Sequence, residues 1–172
     1  MFDLRTARLE PGDHQRRALE VSIPPVILGG LTYRVEPDPA PADLELTRLT
    51  NGLVLQLRLD VDVHGTCHRC LGDAKVHVAA REREFQADRP EAGAEEEMTS
   101  EYVDMHEHTV DVDRWASDAV VLALPQTIVC REDCKGLCPT CGHDLNEGPC
   151  DCPPPPPDER WAALRDLIPP EE

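Results

Sequence analysis

Eight cysteines in four closely spaced pairs constrain this chain more than any other feature. Cys67-His68-Arg69-Cys70 and Cys138-Pro139-Thr140-Cys141 are C-x2-C pairs. Cys130 and Cys134 are C-x3-C, and Cys150 and Cys152 are C-x-C. Such spacing lets two thiolates reach one tetrahedral ion from a single tight turn. An even count also suits disulfides, but those belong to oxidising compartments. The start, Met1-Phe2-Asp3-Leu4-Arg5, has no apolar core of a secretory signal. The longest apolar run, residues 119–124, is far short of the roughly 20 residues of a membrane span. We therefore expect a cytoplasmic protein with reduced thiols, no membrane contact, and bound Zn²⁺.

The eight ligands divide in more than one way. Cys138, Cys141, Cys150 and Cys152 lie within fifteen residues and close one site locally. Cys67 and Cys70 need a distant pair, and Cys130 with Cys134 remains. We assign two sites on that basis. An interleaved arrangement, with Cys67 and Cys70 joining Cys138 and Cys141, stays open, as does a single zinc with four free thiols. His143 is a further candidate to replace one cysteine. Gly142, directly after Cys141, suits a turn that needs φ > 0. A site closed by four thiolates has no open position for water, so these zincs are expected to be structural, not catalytic.

The chain around the cysteines reads as α+β. An antiparallel β-meander, barrel-like, is joined by one or two short helices and a cysteine-rich zinc-binding C-terminal segment. Residues 1–43 are proline-punctuated, with a short strand expected at 31–35. Asn51-Gly52 favours a type I′ hairpin turn. From Leu53 to His64, apolar residues alternate with polar ones at period 2, which defines a half-buried strand. Alternation resumes at Ala74, so the Cys67–Cys70 pair forms the turn of a second hairpin. Asp113 is the expected cap of a helix over 114–124, with Trp115, Ala119, Val120 and Ala123 near one face and Pro125 as its stop. Pro153 to Pro157 form a stiff spacer before a last short helix capped by Asp158. The resulting organisation is 1–85, a β-rich part with the first knuckle; 86–100, an acidic linker; 101–152, the helix and cysteine-rich segment; and 153–172, spacer and final helix.

Charge limits the partners. Asp plus Glu is 34 against 17 Lys plus Arg, a net charge of −17. Residues 86–113 alone hold ten acids and one base, Arg89. The densest basic spots, Arg16-Arg17 and Arg81-Glu82-Arg83, are diluted by acids. Between Cys130 and Cys152, Arg131 and Lys135 face five acids, which argues against a nucleic-acid-binding zinc ribbon. No strong direct nucleic-acid binding is expected, and a basic protein suits this field better.

The order Cys67-His68-Arg69-Cys70-Leu71, acidic linker, Leu122-Ala123-Leu124-Pro125, then Cys130 through Cys134-Lys135-Gly136-Leu137-Cys138-Pro139-Thr140-Cys141-Gly142, resembles the bacterial YceD family. Asp144-Leu145-Asn146, Cys150-Asp151-Cys152 and Arg160-Trp161-Ala162-Ala163-Leu164 continue the likeness, which runs from about residue 15 to the C-terminus. The zinc-cysteine-rich, actinobacterial-type form is the one resembled. The family is implicated in accumulation of large-subunit (23S) ribosomal RNA. The resemblance therefore implies a non-enzymatic, zinc-stabilised factor in large ribosomal subunit biogenesis. Its expected partner is a basic ribosomal protein or a large-subunit assembly intermediate, and it implies no catalytic residue.

Two other classes compete. A cysteine-based redox or zinc-responsive protein, unrelated to the ribosome, would use Cys67 and Cys70 as a dithiol. A thioredoxin-like dithiol sits between strand and helix, however, whereas these cysteines fall between strands. An enzyme would draw on His64, His68 and His77, or on His106 and His108 along a strand. No H-E-x-x-H or phosphate-binding loop accompanies them.

Overall fold

In the computed structural model, which describes residues 1–88, 99–153 and 160, nine strands and one α-helix form the body. The long strand β6 (Gly52–Thr66) is the organising element. β7 (Asp73–Ala87) pairs with it antiparallel along its whole length. Its other edge is shared. β5 (Ala40–Arg48) takes Leu53 to Leu59, and β4 (Leu31–Glu36) takes Asp62 to His64. β2 (His14–Val21) extends the sheet beyond β5, and β3 (Val26–Leu28) beyond β4. A small second sheet joins β1 (Phe2–Asp3), β8 (Val103–Asp104) and β9 (Thr109–Val110).

The alternation in β6 is what the sheet buries. Leu55, Leu57, Val61 and Val63 are at most 2% exposed, and Leu44, Leu46, Val78 and Ala80 join them from β5 and β7. The sheet is not a closed barrel. Helix α1 (Val112–Ala123) packs against both β7 and β2. Its buried face is Val112, Trp115, Ala116, Ala119 and Val120, the i, i+3, i+4, i+7, i+8 spacing of a core-facing helix. Trp115 stacks on Tyr102, ring centroids 5.7 Å apart. No helix among the described residues is long and apolar enough to cross a membrane.

Four local expectations change. The β5–β6 turn sits one residue earlier than Asn51-Gly52: Leu49 N–H donates to the Gly52 carbonyl at 2.8 Å, leaving Thr50 and Asn51 in the loop. Neither has positive φ, so the turn is not type I′. Gly52 is needed for space instead, because a Cβ there would meet the Gln86 carbonyl at 2.5 Å. The cap of α1 is Asp111, which accepts from Arg114 N–H at 3.2 Å. Asp113 is engaged elsewhere, holding the N-terminal amine and the Ser22 N–H. Ala123 is exposed, because the helix turns its buried stripe through Ala116 instead. Gln86 to Asp88 belong to ordered structure, not to a linker. Gln86 is buried and accepts from Ser100 N–H at 3.0 Å, and Asp88 takes both Arg48 guanidinium nitrogens at 2.7 Å. Residues 89–98 of the expected linker, the proline spacer beyond Pro153 and the final helix except Arg160 fall outside the described residues.

Trp115→Ala is expected to cost about 3–5 kcal/mol in urea unfolding, as a large buried side chain does. Leu122→Ala, at a position 75% exposed, should stay within about 0.5 kcal/mol. Equal costs would mean that α1 does not pack as described.

Candidate metal centres

The first knuckle is built by backbone geometry at the tip of the β6–β7 hairpin. Cys67 N–H donates to the Gly72 carbonyl at 2.7 Å, and Leu71 N–H returns to the Cys67 carbonyl at 3.0 Å. Leu71 holds φ at 59° to close this turn. Arg69 N–H points at the Cys67 sulfur at 3.4 Å. The C-x2-C pair therefore lies between two strands, not at a strand-to-helix step, which removes the setting of a thioredoxin-like dithiol.

The tail then folds back onto this tip. His68 N–H donates to the Ile128 carbonyl at 2.9 Å, and Leu137 N–H to the Arg69 carbonyl at 3.1 Å. The Arg69 guanidinium reaches the carbonyls of Glu132 and Cys134 at 3.1 and 3.0 Å. Gly136, at φ +74°, lies under the same residue, and a Cβ there would sit 3.0 Å from the Arg69 carbonyl oxygen. The result is a cluster of four sulfurs, Cys67, Cys70, Cys130 and Cys134, all within 4.8 Å of one another. Cys67 to Cys134 is 3.8 Å and Cys70 to Cys130 is 3.7 Å. A disulfide would need about 2.0 Å. A tetrahedral ion with Zn–S of about 2.3 Å spaces its sulfurs roughly 3.8 Å apart.

The second cluster is local. Cys138 N–H donates to the His143 carbonyl at 2.8 Å, and Gly142 N–H to the Cys138 carbonyl at 2.9 Å. Gly142 adopts φ +74° in this turn. Leu137 and Asp144 form a single β-bridge across it. The sulfurs of Cys138, Cys141, Cys150 and Cys152 lie within 4.8 Å of one another. The structure thus brings Cys67 and Cys70 to Cys130 and Cys134, and does not bring them to Cys138 and Cys141. His143 contributes its backbone, and its ring is in neither group. Of the other histidines, His64 faces Glu36 and His77 faces Asp62, while His106 and His108 lie in the turn between β8 and β9, not on a strand.

Asn146, in the loop between Cys141 and Cys150, reaches back to the first cluster. Its Nδ2 points at the Cys134 sulfur at 3.6 Å, its Oδ1 accepts from Lys135 N–H at 2.9 Å, and its own N–H donates to Asp144. Arg69, Gly136 and Asn146 were not legible as functional positions from spacing alone. Only the Asp144-Leu145-Asn146 string, with two side chains that bond backbone locally, hinted at a structured turn.

The electrostatics of the clusters match a demand for a cation. Burial works to raise the Cys67 thiol, but the backbone N–H groups of Cys70, Cys130 and Arg69 outweigh it and bring it down to about 6. The backbone N–H groups of Cys141 and Thr140, then the Cys150 thiol, bring Cys138 down to about 6. Desolvation and the neighbouring thiols of Cys134, Cys70 and Cys67 push Cys130 up to about 12. The Cys141 thiol, then desolvation, push Cys152 up to about 12. Each cluster holds one sulfur ready to ionise and others that resist, because like charges this close repel. A divalent cation removes that repulsion, and thiolate ligands are what a soft or borderline metal selects. Both groups could hold a metal ion.

An open antiparallel sheet with one packed helix, one four-cysteine cluster joining the tail to a hairpin tip and a second within the tail defines a small cysteine-cluster α+β protein. The family whose model matches residues 55–168 is described as "Large ribosomal RNA subunit accumulation protein YceD". The chain belongs to this family. Among its relatives, an uncharacterised protein of Mycobacterium tuberculosis is 34% identical over 148 residues, 77% of this chain and 71% of that protein. An uncharacterised protein of Mycobacterium leprae is 31% identical over 182 residues, covering 99% of this chain and 78% of its own. A chloroplast protein of Arabidopsis thaliana, "Large ribosomal RNA subunit accumulation protein YCED homolog 1", is 40% identical over 43 residues, 25% of this chain and 13% of its own. No solved structure matches the chain.

Gly136→Ala forces a left-handed backbone on a residue with a Cβ and presses it against Arg69. It should cost about 1–2 kcal/mol and speed release of metal from the first cluster to a chelator, leaving the second unchanged. Unaltered release from both clusters would show that the Arg69–Gly136 contact does not support the first.

Proposed function

We propose that this chain is a non-enzymatic, zinc-stabilised factor in large ribosomal subunit biogenesis that supports accumulation of the large-subunit ribosomal RNA. The family description carries the biological assignment. The observation that carries the physical role is the pinning of a distant tail to the β6–β7 hairpin tip by four converging sulfurs. Cys67, Cys70, Cys130 and Cys134 hold one Zn²⁺, and Cys138, Cys141, Cys150 and Cys152 hold the other. Zinc in such a site supplies folding energy, because the unfolded chain has no preformed set of ligands. Four thiolates leave no coordination position for a substrate, which supports a structural reading.

The chain acts by binding a basic ribosomal or assembly protein. Its net charge of −17 supports this, since an acidic field speeds encounter with a cationic partner and weakens as salt rises. Residues 101–152 act with 1–85 as one folded body, joined by the acidic linker.

Metal analysis of the purified protein should find two zinc ions per chain. The pair Cys67→Ser and Cys70→Ser should keep one. Loss of both metals from a variant that still shows native circular dichroism would overturn the separated sites. In a sucrose gradient of gently lysed cells, a tagged copy should run with large-subunit precursors. Recovery only at the top of the gradient, at low and moderate salt alike, would overturn the ribosomal assignment.

A further inference from the structure

Strand alternation sorts the charges of β7. The string Arg81-Glu82-Arg83-Glu84 is neutral in sequence, but successive side chains on a strand leave opposite faces. Arg81 and Arg83 are exposed, and Glu82 and Glu84 are half-buried on the other side. The register carries the arginine face across three strands. Arg81 lies opposite Arg58, which lies opposite Asp43; Arg83 lies opposite Gln56, which lies opposite Glu45.

The carboxylates of β5 and β6 on this face, Asp43, Glu45, Asp60 and Asp62, have partners within it: Lys75 reaches Asp62 at 2.7 Å, and His77 lies 3.9 Å from Asp60. Arg16 of β2 grips Asp43 through two nitrogens, at 3.0 and 2.5 Å, and Arg58 reaches Glu45 at 3.3 Å. Arg81 and Arg83 have no carboxylate partner among the described residues. A hollow of about 440 Å³ opens between Arg16, Arg58 and Arg81, with Asp43 and Asp60 also in its wall. Two residues beyond Arg83 on the same face stands Phe85, half-buried, its ring lying over the bare backbone of Gly52.

We infer that this face of β5, β6 and β7 binds the backbone of single-stranded RNA, with Arg81 and Arg83 on phosphates and Phe85 as a stacking surface for a base. Guanidinium forks recognise phosphate, and two positions along a strand set them roughly 6.6 Å apart. Carboxylates on an acidic protein would satisfy the same forks. The aromatic ring beside them favours a nucleic acid, because every base has a face to stack. The chain-wide charge opposes the contact, so the site is short, the affinity modest and the salt dependence steep. The sequence expectation of no strong nucleic-acid binding is thereby narrowed to one local exception. The inference does not rest on a basic protein partner. The metal clusters lie past the end of β6, away from this face.

The test is fluorescence anisotropy with the full-length, metal-loaded protein and a labelled 12-nucleotide mixed-sequence single-stranded RNA, from 50 to 200 mM salt. The wild-type chain should bind at 50 mM. Arg81→Ala with Arg83→Ala should weaken binding about tenfold or more, and reduce the log–log salt slope by about 1.4, near 0.7 per lost phosphate contact. Phe85→Leu should weaken it about fivefold or more. Arg5→Ala, which removes one positive charge from a pair with Asp3, should change it less than twofold. A labelled 12-residue polyglutamate should not compete. Absence of wild-type binding at 50 mM, or full binding by the double variant with a native thermal melt, overturns the inference. So does equal capture of polyglutamate with the same arginine dependence, which would assign the face to an acidic protein.

Discussion

β6 is paired on both edges over most of its length. β7 matches it residue for residue from Gly52 to Thr66, while β5 and β4 divide the opposite edge between them. Every other element takes its place from that arrangement. β2 reaches the sheet only through β5, and β3 only through β4. The buried set Leu55, Leu57, Val61 and Val63 is the side of β6 that the rest of the chain covers. A one-residue slip would turn those side chains to water and bring Arg58 and Asp60 into the core, so the register is held by burial itself. α1 then covers the inner face where β7 and β2 leave the sheet open. Tyr33 closes the far end, its hydroxyl donating to the Thr66 carbonyl at 2.8 Å.

The parts legible in the sequence were those with one strong local cause. The period-2 run from Leu53 shows a strand whatever its neighbours do. The C-x2-C pair between two such runs shows a hairpin tip. The grouping of cysteines followed from separation along the chain, and the structure brings together the same fours. What escaped was set by contacts between distant segments. Asp113 has the residue type of a helix cap, and so does Asp111, which caps the helix. Only the claim of the N-terminal amine and Ser22 on Asp113 decides between them. Asn51-Gly52 carries the composition of a type I′ turn, yet Gly52 is there because Gln86 and Phe85 of the partner strand approach too closely for a Cβ. Gly136 had the same kind of hidden reason, the approach of Arg69 from a knuckle far away in sequence.

Charge along the chain and charge on a face differ for a related reason. A linear count treats Arg81-Glu82-Arg83 as self-cancelling. On a strand those three residues do not share a face, and the cross-strand partners that decide the local field, Arg58, Asp43 and Gln56, lie more than twenty residues away in sequence. Net charge describes how the whole molecule meets a distant ion. At contact range, pairing within the face matters more. Arg16 and Arg58 are spent on carboxylates, and Arg81 and Arg83 are left over.

The tail shows what a metal in these clusters would supply. Between residues 126 and 153 the only buried apolar side chains are Ile128, Cys134 and Cys138. That is too little apolar surface to repay the ordering of a segment of this length. Backbone bonds to the knuckle give it a path, and Arg69 and Asn146 give it alignment. Neither supplies a hydrophobic gain. The two sulfur clusters also differ in what they close. The second bridges neighbours within one short loop, so it shapes that loop. The first joins Cys67 to Cys134 across 67 residues and Cys70 to Cys130 across 60. A cross-link removes more freedom from the unfolded chain as the loop lengthens, though only logarithmically. The first cluster therefore joins the tail to the hairpin over the longer loop, and the second shapes its own loop independently.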